Sequence, residues 1–319
     1  MLRLLFVLAL SSPLLLSAAE SMDERSLLLS MSRALHEVNY KGTFTYRRDD
    51  QMQGIEITHG VKGGREFERM VTLNGPAREI VRDDEQVRCE FQQADPFMVE
   101  ESSYPRPFVF SDPEKLTQLE QYYEISSEPS EPIAGFSSRK ILLKPSDHYR
   151  YGYRFWVSSN EPHLLLRSEM VAENGAILEQ LLFTSLQILE SAPAEFDAIT
   201  ALSQRSEPSK MSSEPPHFSW RVSRLPPGYR HETERFSNMM TGDTASQQVE
   251  HHLYSDGFSS VSLFIEIMSG NRDKFQPIAS QMGAVSLVSY LNDAHKIVVV
   301  GEVPLATAEL IAHSIERIE

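Results

Sequence analysis

The residues of this chain that could do chemistry are few and poorly assembled. His251-His252 is the pair most like metal ligands, but neighbours on a strand point to opposite faces and cannot share one ion without a bulge. No metal site is expected there. Asp147-His148 lies among turn formers, where an Asp side chain serves the backbone rather than a catalytic dyad. Asp83-Asp84-Glu85 reads as a solvated turn. Cys89 is the one cysteine; it cannot form an internal disulfide and reads as a half-buried strand thiol. The chain holds no Gly-x-Ser-x-Gly elbow, phosphate-binding loop or His-Glu-x-x-His helix. Catalysis needs converging groups with tuned pKa values, so the pattern argues for a binding protein without a cofactor, not an enzyme.

Two patterns do point to binding. Phe44 and Tyr46 share one face of a strand-like run, and Tyr153 and Phe155 share one face of another, with Leu164, Leu166 and Met170 near them in topology. A sheet face this apolar must be covered, either by a helix or by a ligand in a cavity. The second pattern is basic: Arg65, Arg69, Arg78 and Arg82, together with Lys62, fall on the early strands. Sharing one face or rim, they would meet an anionic head group; the plainer alternative is a polar face paired with Glu66, Glu68 and Glu79. An apolar pocket with a cationic rim suits an acylated anionic molecule.

The elements that must position these residues are short. Asp23 can cap a helix starting near Glu24, whose stripe is Leu27, Met31, Leu35 and Val38. Strands begin at Gly42, continue through Ile55 and Ile57, and resume over 66–73, 78–81 and 87–91, with turns at 49–54, 60–64 and Asn74-Gly75. The pattern lapses over 92–132, where Pro105 and Pro107 among aromatics suggest a flap. An antiparallel meander follows at 139–145, 149–157, 164–171 and 177–183. Residues 203–216 are rich in Ser and Pro and read as a linker. Beyond it, Trp220 and Val222 open a strand, hairpins are expected at Asp256-Gly257 and Asn292-Asp293, and Pro304 starts a closing helix with Leu310, Ile311, Ile315 and Ile318 in its stripe.

The 319 residues suggest about two domains. Arg3, the apolar run 4–16 and Ser17-Ala18-Ala19 read as a signal peptide over 1–19, too short to span a bilayer. The exported chain would then reside in the bacterial periplasm. A formal net charge of −15 argues against general nucleic-acid binding, which needs a dense positive face.

Longer stretches carry a family resemblance. Lys41-Gly42-Thr43-Phe44-Thr45-Tyr46, His59-Gly60, Leu73-Asn74-Gly75-Pro76-Ala77-Arg78-Glu79-Ile80-Val81-Arg82, Pro145-Ser146-Asp147-His148-Tyr149-Arg150-Tyr151-Gly152-Tyr153 and Glu179-Gln180 resemble the RseB/MucB family. So do Leu253-Tyr254-Ser255-Asp256-Gly257 and Val299-Val300-Gly301-Glu302-Val303-Pro304. The resemblance implies an α+β fold: a large half-open antiparallel β-barrel over helices, similar to the lipoprotein carriers LolA and LolB, over 20–202. A small α+β partner-binding domain would occupy 217–319, beyond the flexible linker. It further implies a periplasmic negative regulator of an envelope-stress sigma factor of the sigma-E/AlgU type. Such a protein binds the periplasmic region of a single-span anti-sigma factor (RseA or MucA type) and shields it from site-1 proteolysis. Lipopolysaccharide or lipid-bearing molecules are the implied release signal, and in a pseudomonad-like host the output includes alginate control. On this reading Tyr254 and Phe258 are partner-contact candidates, and a homo-oligomer stays open. The alternative is a periplasmic lipid or lipoprotein carrier, which has less need of the second domain.

Overall fold

The computed structural model describes residues 22–318 apart from 77, 84–85, 92–93, 101–118, 195, 197–217, 242–244 and 269–271. The expected signal peptide (1–19), the flap around Pro105 and Pro107, and the linker (203–216) therefore lie outside the described residues.

Helix α1 spans Glu24–Glu37, and the Asp23 carboxylate accepts the Ser26 N–H at its first turn, the cap expected from sequence. Eleven strands form one antiparallel sheet. They are β1 (Tyr40–Arg48), β2 (Gln51–Lys62), β3 (Arg65–Thr72), β4 (Arg78–Asp83), β5 (Gln86–Phe91), β6 (Ala94–Glu100), β7 (Tyr123–Pro129), β8 (Ser138–Pro145), β9 (Gly152–Ser158), β10 (Leu165–Val171) and β11 (Ile177–Ile188). Their order is β6-β5-β4-β3-β2-β1-β11-β10-β9-β8-β7, two meanders joined where β1 pairs with β11. The sheet does not close, because β6 and β7 are its two ends. Helix α1 covers one face of it, and the helical residue Phe196 stacks on Phe67 of β3. Leu27, Leu28, Met31 and Leu35 of α1 enter one buried cluster with Phe44, Ile57, Met70, Ile141, Tyr153, Phe155 and Phe183 from the sheet.

Several boundaries move outward from their expected places. β2 begins at Gln51 and runs through Gly60 to Lys62, so the first two turns shrink to Asp49-Asp50 and Gly63-Gly64. Both glycines of the latter have positive φ, the conformation a tight turn demands. β6 and β7 lie in the stretch where no regular pattern was expected.

The second part of the chain builds a six-stranded antiparallel sheet of order β13-β14-β15-β18-β17-β16. Its strands are β13 (Arg230–Thr241), β14 (Ala245–Ser255), β15 (Ser260–Ile267), β16 (Ile278–Met282), β17 (Val285–Asn292) and β18 (His295–Gly301). Helix α2 (Leu305–Ala312) packs on it, and β12 (Trp220–Val222) pairs with β19 (Ile315–Arg317). Ile315 thus belongs to a strand and not to the closing helix. β13 is rich in polar residues and shows no apolar alternation in sequence.

Candidate functional site

The aromatic face assembles as the alternation of β1 and β9 requires. Tyr151, Tyr153, Phe155 and Val157 are all buried and join Phe44, Leu164 and Met170, with Tyr46 packed partly against them. Leu166 does not join them. A register shift between Leu165 and Arg167 turns it to the opposite face, where it packs with Trp156 and Ile133. On that face the Arg167 guanidinium covers the Trp156 ring at 4.2 Å. The apolar face is covered by α1, so its residues are core. Beside Tyr46, Tyr153, Phe155 and Met170 remains a cavity of about 40 Å³. This space is far below the roughly 300–1,000 Å³ of small-molecule sites. Two open grooves of about 570 and 560 Å³ lie elsewhere on the first sheet, one lined by Lys41, Thr58 and Arg69, the other by Leu142, His148 and Arg154.

The four arginines do not share a face. Arg65 and Arg69 fall on one side of β3, while Arg82 pairs across from Glu68 on the other side, the side to which the alternation of β4 also assigns Arg78. Each arginine side chain has acidic or other partners. Arg69 Nε donates to Glu79 at 2.6 Å, Arg65 lies 3.5 Å from Asp83, and buried Arg82 is 3.9 Å from Glu68. The expected cationic rim is split by strand alternation, and Arg65, Arg69 and Arg82 in it face acidic side chains.

Tyr254 and Phe258 also turn inward. Tyr254 is buried among His231, His252 and the second sheet's core. Phe258 stacks on Tyr153 at 5.4 Å and lies 5.5 Å from Tyr123, both residues of the first sheet. Tyr254 is buried and Phe258 half-buried, so in this structure both rings pack within the chain.

What Phe258 marks is a docked junction between the two sheets. Arg150 lies in the loop before β9 and is buried. Its Nη1 is 3.3 Å from Asp256 Oδ2, its Nε 3.1 Å from Asp147 Oδ1, and its Nη2 donates to the Pro227 carbonyl. Asp256 Oδ1 meanwhile accepts the N–H groups of Phe258 and Ser259, closing its own turn. Burial works against the Arg150 charge, but Asp256 and Asp147 outweigh it and hold the guanidinium protonated. The guanidinium also sits 4.6 Å above the Tyr122 ring. Tyr122 in turn touches Gly228, where a Cβ would stand 2.6 Å from the ring and φ is +84°. Tyr151 Oη reaches the carbonyls of Ala284 and Val303, and accepts from Gln281 Nε2. Thr307 Oγ1 donates to the Tyr149 carbonyl at 2.5 Å. At the other end Arg48 joins Glu179 of β11 to Glu302, at 2.7 and 2.6 Å. Glu179 also accepts from Tyr46 Oη, and burial together with this carboxylate pushes the phenol well above its ordinary pKa. Burial likewise raises Glu302.

Sequence reasoning passed over Arg150, Tyr151 and Asp256 as site residues. The Tyr-Arg-Tyr run before β9 was a visible signal, but nothing in one sequence pairs residues 106 positions apart. His251 and His252 do face opposite sides, as alternation required: His251 stacks on Phe264, and His252 faces Tyr254.

Comparison with known proteins adds the context of this junction. The family model of the MucB/RseB N-terminal domain matches residues 23–209, and that of the MucB/RseB C-terminal domain matches 214–316. The sigma factor AlgU regulatory protein MucB of Pseudomonas aeruginosa is 31% identical over 317 residues, covering 97% of this chain and 96% of the relative. The sigma-E factor regulatory protein RseB of Escherichia coli K12 is 24% identical over 325 residues, with 98% of each chain covered. Among solved structures, MucB in complex with MucA(peri) superposes with a TM-score of 0.70 at 26% identity, covering 93% of this chain and all of that one. The Pseudomonas aeruginosa MucA/MucB complex gives 0.71 at 28% identity, with coverage of 92% and 99%.

Proposed function

The chain belongs to the MucB/RseB family, and from that premise we propose that it is a periplasmic regulator that grips the periplasmic segment of a single-span anti-sigma factor of the RseA/MucA type and shields it from site-1 proteolysis. The observation that carries this reading is the fold. The chain superposes over nine-tenths of its length on a relative solved with MucA(peri), and the relatives it matches from end to end are regulatory proteins by name. Family models that meet between residues 209 and 214 support dividing the chain at the 203–216 linker. The apolar run 4–16 supports export.

The junction supplies the means of control. A partner that touches both sheets reads their relative placement, and that placement is set by Arg150–Asp256, Tyr151 and Phe258. A ligand releases the partner only if it binds the partner-free arrangement better. An acylated, anionic molecule of the lipopolysaccharide type that uses the face of Phe44, Tyr153 and Phe155 would have to displace α1 from it, because α1 covers that face and the adjoining pocket is small.

The test is titration of the mature protein with a synthetic periplasmic segment of the anti-sigma factor, with and without a lipid A-type ligand. Saturable binding that the lipid weakens is the expected result. Absence of binding overturns the regulator. Binding that the lipid leaves unchanged removes only the release mechanism.

A further inference from the structure

β13 carries a register shift against β14 between His231 and Thr233. The extra residue breaks the two-residue alternation of side chains. His231 and Glu234, three positions apart, therefore turn to the same side and meet His252 across the ladder. His231 Nε2 lies 3.4 Å from His252 Nδ1, and Glu234 Oε2 lies 3.6 Å from each of these nitrogens. A point equidistant from three atoms so spaced stands about 2.0 Å from each, which is the length of a zinc–nitrogen or zinc–carboxylate bond.

A second observation concerns the proton on His252. Its Nε2 is 2.8 Å from Glu250 Oε1, a buried carboxylate oxygen that also accepts the Trp220 N–H at 3.1 Å. The other oxygen of Glu250 accepts the Ser219 N–H at 3.2 Å. A carboxylate in this position accepts, so His252 Nε2 carries the proton and Nδ1 keeps its lone pair, facing His231 and Glu234. Carboxylates behind metal-bound histidines do the same: they fix the tautomer and ring angle and raise the basicity of the ligating nitrogen. The ring of His252 is otherwise walled by Phe218 and Tyr254.

We propose that His231, Glu234 and His252 form a binding site for a divalent transition-metal ion of the zinc class, held from behind by Glu250. Two imidazoles and one carboxylate suit zinc, copper or nickel and not the hard cations calcium and magnesium. Half-exposed His231 and Glu234 leave a path for the ion and a fourth position for water, whereas His252 is the buried anchor. The ion would clamp β13, which among the described residues pairs only with β14, to that strand. The adjacent His251 takes no part, since it faces Phe264 and Ser262.

The site is tested by calorimetric titration of the untagged mature protein with Zn²⁺ alone, and by thermal unfolding with Zn²⁺ and after chelation. One ion per chain and a higher Tm are expected. His231→Ala and Glu234→Gln are each expected to weaken binding by about tenfold or more. Both replacements fall on half-exposed side chains, and far-ultraviolet circular dichroism confirms that the variants fold. His313→Ala, at an exposed histidine after α2, serves as the control. An equal loss in the control, competition by Mg²⁺ in excess, or no saturable binding by the wild type overturns the site.

Discussion

At the scale of single residues, the strongest electrostatic commitment is Arg150 with Asp256, both about 1% exposed in their side chains. Removing one partner of a buried pair strands the other charge, at a cost of about 3–5 kcal/mol. Arg150→Met is therefore expected to lower the unfolding free energy by that order, read by denaturant titration. Asp256→Asn should cost less, because it retains the acceptor for the Phe258 and Ser259 N–H groups and leaves Arg150 paired with Asp147. His251 sets a pH dependence. Burial, aided by Arg235 and His252, pushes its pKa down to about 4 from an ordinary 6.5. Above pH 6.5 the group is neutral whether the chain is folded or not, and it contributes nothing to the slope. As pH falls from 6.5 toward 4, the unfolded chain takes up the proton first, so stability is lost across that window. His251→Phe is expected to flatten this part of the stability–pH curve, whatever it does to stability at pH 7; Tm measured from pH 7.5 to 4.5 checks it.

At the scale of elements, α1 is the plug of the large sheet. Its i, i+4 series Leu27–Met31–Leu35 lies on the aromatic face, and Met31 is fully buried. Met31→Ala is expected to cost about 2–5 kcal/mol. It also opens space next to Phe44 and Phe155, so a hydrocarbon probe should bind this variant better than the wild type; fluorescence titration with a long-chain acyl probe reads the difference. The helix was legible because an N-cap and a 3.6-residue stripe are local signals, and the meander β8–β11 because short alternating runs between turn formers are too. β13 was not legible. Its residues read as polar in both phases, and it is a strand only because β14 offers it a ladder.

At the scale of the molecule, the two sheets are joined by contacts that include the buried Arg150–Asp256 pair. Phe258→Ala removes the ring stacked on Tyr153 and facing Tyr123. The expected outcome is unfolding in two resolved transitions instead of one, with a larger radius of gyration by solution scattering before the first. A single transition at unchanged radius would show that the polar contacts of Arg150 and Tyr151 suffice to dock the sheets.

The amino-acid order by itself determined the α1 cap and stripe, the alternation of β1 and β9, most turns and the family. All of these depend on residues within a few positions of one another or on long runs of matching identity. Only the tertiary structure decided that the aromatic face is filled by α1, that Arg65 and Arg69 part from Arg82, that Phe258 faces inward, and that a bulge gathers His231 and Glu234 around His252. Each of those depends on which surface the chain lays against which, and on a one-residue slip in register. Burial and pairing free energies act there between residues that no local pattern connects.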